Sequence, residues 1–263
     1  MIGELIAKSR KIVIKIGSNT LANSEGMINI PFLEEFAEQS ANLLKQGKQV
    51  ILVSSGAQVA GLSTLGKWAR KKDIHYKQAL CAVGQVELMN AWRKAFSHYG
   101  VYTAQILLTR DDFGDSIRTL NIRNTLFTLV DEGVVPVINE NDTVSIAEIK
   151  IGDNDNLAAL SAVLWGADLL ILCSDIDGLY NKNPKEFADA ELVREVRNLE
   201  EIRKTISIGK TSSFGTGGIS TKLEAAEKTT EYNIPMILTH GGKPRMLEAL
   251  AAGTQQGTVF LPN

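Results

Sequence analysis

The side chains best suited to chemistry in this sequence fall in a few short stretches. The densest is NENDTV at Asn139–Val144, followed shortly by KIGDNDNLAAL at Lys150–Leu160. Asp142, Asp153 and Asp155 with Asn139, Asn141, Asn154 and Asn156 supply more hydrogen-bonding capacity than turns require, although turns also favour Asn and Asp. The D-N-D-N run lacks the spacing, the sixth-position glycine and the closing glutamate of an EF-hand loop, which argues against a metal site there. Near the amino terminus, KIGSN at Lys15–Asn19 places a lysine inside an apolar strand just before Gly17. An ammonium is costly to bury alone, so Lys15 either meets an anion such as phosphate or faces water from an edge strand. SSGAQVAG at Ser54–Gly61 puts two hydroxyls and Gly56 at a strand-to-helix turn. That turn would present backbone N–H groups to an anion, or simply cap a helix.

Two further stretches carry the same chemistry. SDIDGLY at Ser174–Tyr180 brings a buried strand out into an Asp-Gly turn, and FGTGGISTKLEAA at Phe214–Ala226 sets Gly215, Gly217 and Gly218 before a helix. Glycines let backbone amides approach a phosphate closely, and a helix amino end adds partial positive charge. Ser220, Thr221 and Lys222 stand in that helix's first turn, where a lysine opposes the macrodipole and calls for an anionic partner. The other setting for this stretch is a flexible loop before an ordinary helix. GLSTLGKW at Gly61–Trp68 nearly spells a P-loop. It is rejected, because Trp68 stands where a hydroxyl must reach Mg²⁺ and no strand runs directly into the first glycine.

The elements that must position these residues alternate along the chain. Strands are expected at Lys11–Ile16, Gln49–Val53, Val101–Leu108, Val134–Asn139, Asp168–Ser174, Pro235–Thr239 and Thr258–Leu261. Helices are expected over Pro31–Gln46, Lys77–Tyr99, Asn121–Glu132, Asn154–Trp165 and Ile219–Tyr232, with one more opened by Pro244, and a hairpin over Thr143–Ile151. Near-continuous apolar strands alternating with helices predict a mostly parallel sheet covered on both faces. Such a sheet binds its ligand at the carboxyl ends of the strands, which is where the polar stretches fall. Asn181–Gly215 is the least regular segment, and nothing marks a domain boundary.

Composition narrows the partners. The 263 residues are 22% charged and 44% hydrophobic with a net charge of -2, ordinary globular values that announce neither nucleic acid nor an anionic membrane. A small-molecule partner is therefore expected. Cys81 and Cys173 belong to no C-x-x-C pair and read as free, buried thiols. The amino terminus lacks the apolar core of a signal peptide and no apolar run approaches bilayer length, so a cytoplasmic location is expected.

Taken in order, VIKIGSN, VSSGAQVAG, NENDTV, IGDNDNLAALSA, SDIDGLY and FGTGGISTK resemble the amino acid kinase family over essentially the whole chain. NEND and GDNDNLAA are the part most specific to the branch that acts on glutamate, whereas the lysine and glycine loops are shared with kinases of acetylglutamate, aspartate, carbamate and uridylate. The resemblance implies an α/β fold, a three-layer αβα sandwich with a central mostly parallel sheet, in one amino acid kinase domain over residues 1–263. It implies ATP-dependent phosphorylation of the γ-carboxylate of L-glutamate, the first step of proline biosynthesis. It also implies Mg²⁺ with the ATP, proline as a feedback inhibitor, and a homo-oligomer, dimer or tetramer. Many members add a carboxy-terminal PUA domain, an RNA-binding-like module. The sequence stops at GTVFLPN, where the kinase domain ends, so no PUA domain and no nucleic acid partner are expected.

Carried over residue by residue, the resemblance puts substrate contacts on Ser55, Asp142 and Asn154, with Asn139 a further one. Nucleotide contacts fall on Lys15, Ser174, Asp175 and the run Thr216, Gly217, Gly218, Ile219, Ser220, Thr221 and Lys222. Lys15 and Lys222 correspond to the lysines that embrace the migrating phosphoryl group, and Asp155 to the aspartate that organises them. No carboxylate is assigned as a direct Mg²⁺ ligand. A γ-carboxylate with a reference pKa near 4.3 is already ionised at neutral pH and needs no general base, which fits His75, His98 and His240 lying outside the motifs. The alternatives are an acetylglutamate or uridylate kinase of the same family, or a non-catalytic sensor. Asp142 would suit a free α-ammonium and repel a nucleotide monophosphate, and a sensor has no use for Lys222.

Overall fold

The computed structural model describes residues 1–66, 73–145, 154–184, 186–205 and 218–262. The first third comprises α1 (Ile2–Lys8), β1 (Lys11–Ile16), the single turn α2 (Ser18–Leu21), α3 (Ile30–Lys45), β2 (Gln49–Ser54), α4 (Ala57–Leu65) and α5 (Ile74–Ser97). Then come β3 (Thr103–Leu108), α6 (Ser116–Asp131), β4 (Val135–Glu140), α7 (Asn154–Trp165) and β5 (Leu169–Ser174). The last part holds β6 (Leu179–Tyr180), β7 (Leu192–Val193), β8 (Glu195–Val196), α8 (Leu199–Thr205), α9 (Ile219–Glu231), β9 (Met236–His240), α10 (Met246–Ala251) and β10 (Gly257–Phe260).

Eight strands make one sheet in the order β3-β4-β2-β1-β5-β9-β10-β8. Every neighbouring pair from β3 to β9 is parallel, while β10 runs antiparallel to β9 and carries β8 alongside. Side-chain parity splits the core into two layers. Ile12, Ile14 and Ile16 of β1 pack with Leu33 and Phe36 of α3 and with Trp92 and Phe96 of α5. Val13 turns to the other face, among Leu157 and Ala158 of α7 and Leu223 of α9. The sheet is thus covered on both sides, the three-layer, mostly parallel αβα arrangement expected.

The chain winds from β1 to β2 on one side and returns to the other side of β1 with β5. The carboxyl ends of β1, β2, β4 and β5 therefore surround the point where strand order reverses, the place where open α/β sheets bind ligands. KIGSN, SSGAQVAG, NENDTV and SDIDGLY leave the sheet at that edge, and the described parts of the other two stretches, from Asn154 and from Gly218, enter α7 and α9 there.

Several expected bounds are corrected. The helix expected from Asn121 begins at Ser116, because Asp115 caps it by accepting from the backbone N–H groups of Ile117 and Arg118. Its periodicity is faint because only Leu126 is buried. Pro244 does not open α10; Arg245, in the left-handed region at φ 47°, precedes its first residue Met246. The final strand lies one residue earlier, at Gly257–Phe260. The hairpin expected over Thr143–Ile151 falls largely on residues outside those described.

Helix α4 is the helix expected behind the turn at Gly56, though without bounds, and its small residues explain both that gap and its purpose. Gly61 lowers its helix propensity, yet α4 and α5 cross so closely that a Cβ on Gly61 would lie 2.0 Å from the carbonyl oxygen of Leu80. A Cβ on Gly84 would lie 1.8 Å from the oxygen of Ala57. Glycine on both helices is a condition of the crossing, which draws α5 against the start of α4.

Candidate active site

Lys15 shares its parity with Val13 and so leaves the sheet on the face of α7 and α9, where it is 8% exposed. Its Nζ lies 2.7 Å from Oδ1 of Asp155. Asp155 stands in the first turn of α7, where a carboxylate is favoured by the helix amino end, and it is 1% exposed. Its other oxygen, Oδ2, lies 3.0 Å from Nζ of Lys222. Thr221 Oγ lies 2.9 Å from that same oxygen and 2.9 Å from the carbonyl oxygen of Gly218, and donates its one proton to either. Burial alone would push the Asp155 carboxyl up, but the ammonium groups of Lys15 and Lys222 outweigh it and hold the pKa at about 2. Three sequence-distant groups thus form one buried cation–carboxylate–cation unit. The anionic partner that Lys222 needs in the first turn of α9 is Asp155.

Beside this unit, β5 ends in Ser174 and Asp175. Asn19 Nδ2 donates to Asp175 Oδ2 at 3.0 Å and the Ser174 hydroxyl to Oδ1 at 3.2 Å. Burial pushes the Asp175 carboxyl up, but the hydrogen bond from Asn19, with that from Ser174 and the charge of Lys222, holds it below its ordinary value. Backbone bonds lock the neighbouring loops, with the Gly17 N–H donating to the Cys173 carbonyl and the Gly241 N–H to that of Ser174. Gly218 precedes α9 in extended backbone. Ser220 turns its hydroxyl to Glu224, and Ile219 packs against the α7 and α9 core. What these two bring to the helix start is backbone. Thr216 and Gly217 lie outside the described residues.

The other half of the crevice is a chain of amides. Asn154 Nδ2 donates to the Ser55 hydroxyl at 2.8 Å and to Asn139 Oδ1 at 3.0 Å. Asn139 shares parity with Val135 and Val137, which face α5, and its Nδ2 donates to Gln85 Oε1 at 2.8 Å. Asp142, 6% exposed, sits in the turn after β4, and Gln78 Nε2 donates to its backbone carbonyl at 3.0 Å. Gly56, at φ 103°, takes the chain from β2 into α4 in a conformation side chains rarely adopt. Trp92 Nε1 donates to the Ser54 hydroxyl, which donates in turn to the Ser55 carbonyl, fixing this turn from behind.

The sequence-expected residues Ser55, Asn139 and Asn154 therefore touch one another, as do Lys15, Asp155 and Lys222, and the adjacent residues Asn154 and Asp155 join the two groups. Gln78, Gln85 and Trp92 were not singled out from sequence, and Asn19 entered only as the last residue of KIGSN, without a role of its own. Gln78 and Gln85 are two turns apart on one face of α5, a spacing that signals a shared face without saying what it meets. The rejected P-loop stretch is settled by Gly61, which lies inside α4. Among the described residues no group of three or more His, Cys, Asp or Glu side chains could hold a metal ion. No helix among them is long and apolar enough to cross a membrane.

A parallel sheet whose carboxyl edge carries two buried ammonium groups on one carboxylate, beside a helix start and a polar amide cradle, defines a phosphotransferase of the three-layer α/β class. The sequence model of the Amino acid kinase family matches residues 10–255, and the chain belongs to that family. It is 63% identical over 260 residues to Glutamate 5-kinase of Alkaliphilus metalliredigens (strain QYMF), covering 99% of this chain and 98% of that one. It is 60% identical over 260 residues to Glutamate 5-kinase of Alkaliphilus oremlandii (strain OhILAs), covering 99% of each. Among solved structures, the carbamate kinase from Giardia lamblia bound to AMP-PNP superposes with a TM-score of 0.67 at 14% identity, over 98% of this chain and 100% of that one, a likeness of fold.

Proposed function

We infer that the protein transfers the γ-phosphoryl group of ATP to the γ-carboxylate of L-glutamate, forming glutamyl 5-phosphate, the first step of proline biosynthesis. The observation that carries this reading is Asp155 accepting from both Lys15 and Lys222. The similarity to two glutamate 5-kinases over nearly their whole length supports the choice of substrate.

The chemistry follows from charge. The nucleophile is an anion attacking an anionic phosphate, so repulsion is the barrier to lower, and no base is required. Lys15 holds the phosphoryl oxygens from the glutamate side and Lys222 neutralises charge on the leaving β-γ bridge. Asp155 fixes both ammonium groups by charge-assisted hydrogen bonds and takes no proton, being ionised far below neutral pH. Asp142 accepts from the substrate α-ammonium, while Ser55, Asn139 and Asn154 orient its carboxylates. Ser174, Asp175 and the stretch Thr216–Lys222 are assigned to nucleotide binding by the family resemblance. Both oxygens of Asp155 are taken by lysines, so this carboxylate is not assigned to Mg²⁺. The ion is assigned to the ATP phosphates. The family resemblance extends the reading to a cytoplasmic homo-oligomer inhibited by proline.

The test is glutamate-dependent ADP release with the acyl phosphate trapped by hydroxylamine as γ-glutamyl hydroxamate, beside a panel of acetylglutamate, aspartate and UMP. Turnover of another acceptor with none of glutamate overturns the reading.

A further inference from the structure

The amide cradle has a member whose place is set by hydrogen-bond polarity rather than by packing. Asn139 Oδ1 accepts from two donors, the backbone N–H of Glu140 at 2.9 Å and Nδ2 of Asn154 at 3.0 Å. That fixes the orientation of the Asn139 amide, since a flip would aim its NH₂ at two other donors. Its Nδ2 must then find an acceptor on the α5 side, and Gln85 Oε1 is that acceptor at 2.8 Å. Gln85 is only 8% exposed, and its own amide nitrogen is buried with no partner among the described residues. A buried donor left unsatisfied is a cost the fold would avoid with Leu or Met at this helix position. The side chain is therefore retained for its acceptor half.

We propose that Gln85 is a positioning residue that sets amino acid affinity by anchoring, from the α5 side, the Asn139 amide that its two donors orient, and through it Asn154 and Ser55, where they receive the substrate. This rests on the glutamate kinase reading and deepens it. The effect runs through a relay of named atoms, Gln85 Oε1 to Asn139 to Asn154 to Ser55, and ends short of the lysine unit. It belongs to glutamate binding rather than to ATP binding.

Gln85→Met and Gln85→Glu separate this role from simple core filling. Met removes the acceptor while exchanging the orphaned Gln85 nitrogen for an orphaned Asn139 nitrogen, so Tm should stay within about 2 °C of wild type. Losing that anchor should raise the glutamate KM about tenfold and leave the ATP KM within about twofold. Glu keeps an oxygen facing Asn139 and should bring the glutamate KM back to within about threefold of wild type. A Met variant with wild-type glutamate KM, an unfolded Met variant, or a Glu variant no better than Met overturns the proposal. Wild-type protein inactive on glutamate overturns the functional reading itself, which the same hydroxamate assay reports separately.

Discussion

Asp155→Asn replaces one oxygen of the central carboxylate by an NH₂ of nearly the same shape and removes its charge. Lys15 and Lys222 stand 2.7 and 3.0 Å from that carboxylate. At an effective dielectric near 20, each contact is worth about 5 to 6 kcal/mol of bare Coulomb attraction before desolvation is subtracted. Removing one partner of a buried pair costs about 3–5 kcal/mol in measured cases, and here two ammonium groups would be left facing an amide that can accept from only one. The fold should lose about that much stability and roughly 10 °C in Tm. Both lysines would lose their aim, so kcat should fall by about 10² to 10³. Calorimetry and the hydroxamate assay read the two effects on one preparation.

The pH dependence follows with its sign. The folded pKa near 2 lies below the ordinary value of 3.8, so the ion pairs stabilise fully above that ordinary value. Their contribution is lost as pH falls toward the folded value. Wild type should lose this increment of stability across that window, and the Asn variant should lack it. An Asn variant with Tm within about 2 °C of wild type and kcat within about threefold would refute the reasoning.

Lys222→Ala should depress kcat by about 10² to 10³ while leaving the glutamate KM nearly unchanged, since its work lies in the transition state; wild-type kcat would remove that role. Gly84→Ala forces a methyl to within 1.8 Å of the Ala57 oxygen and should cost at least about 1–3 kcal/mol, visible as a lower Tm; an unchanged Tm would mean the α4–α5 crossing yields freely. Burial raises the Cys173 thiol to about 12 against the lowering charge of Lys15, so native protein should resist alkylation there until denaturant is added, as followed by mass spectrometry.

The strands were legible because both faces of the sheet are covered. KIVIKI and LLILCS could only be buried, and the lysine at position 15 stood out against that background. Its partner Asp155 came only through the family resemblance, because nothing in the spacing of residues 15, 155 and 222 says that they share one oxygen pair. The order of strands decides that. Helix α6 blurred because it buries a single side chain, and α4 showed only as the helix behind the Gly56 turn, without bounds, because its use depends on having almost no side chains at the crossing. Gln85 stayed hidden for a related reason. A glutamine in a long helix is ordinary until its acceptor meets an amide whose orientation two other donors have already set.

The cation–carboxylate–cation unit gathers its members from an early strand, a middle helix and a late helix, so any contiguous fragment that holds it must run at least from Lys15 to Lys222. Closing contacts of such sequence separation carries a loop-entropy cost, so the unit is expected to form late as the chain folds. Turnover is then a report on completed topology. A nicked or partly refolded population should recover helical signal before it recovers any catalysis, and complementary fragments should regain activity only when they reassemble.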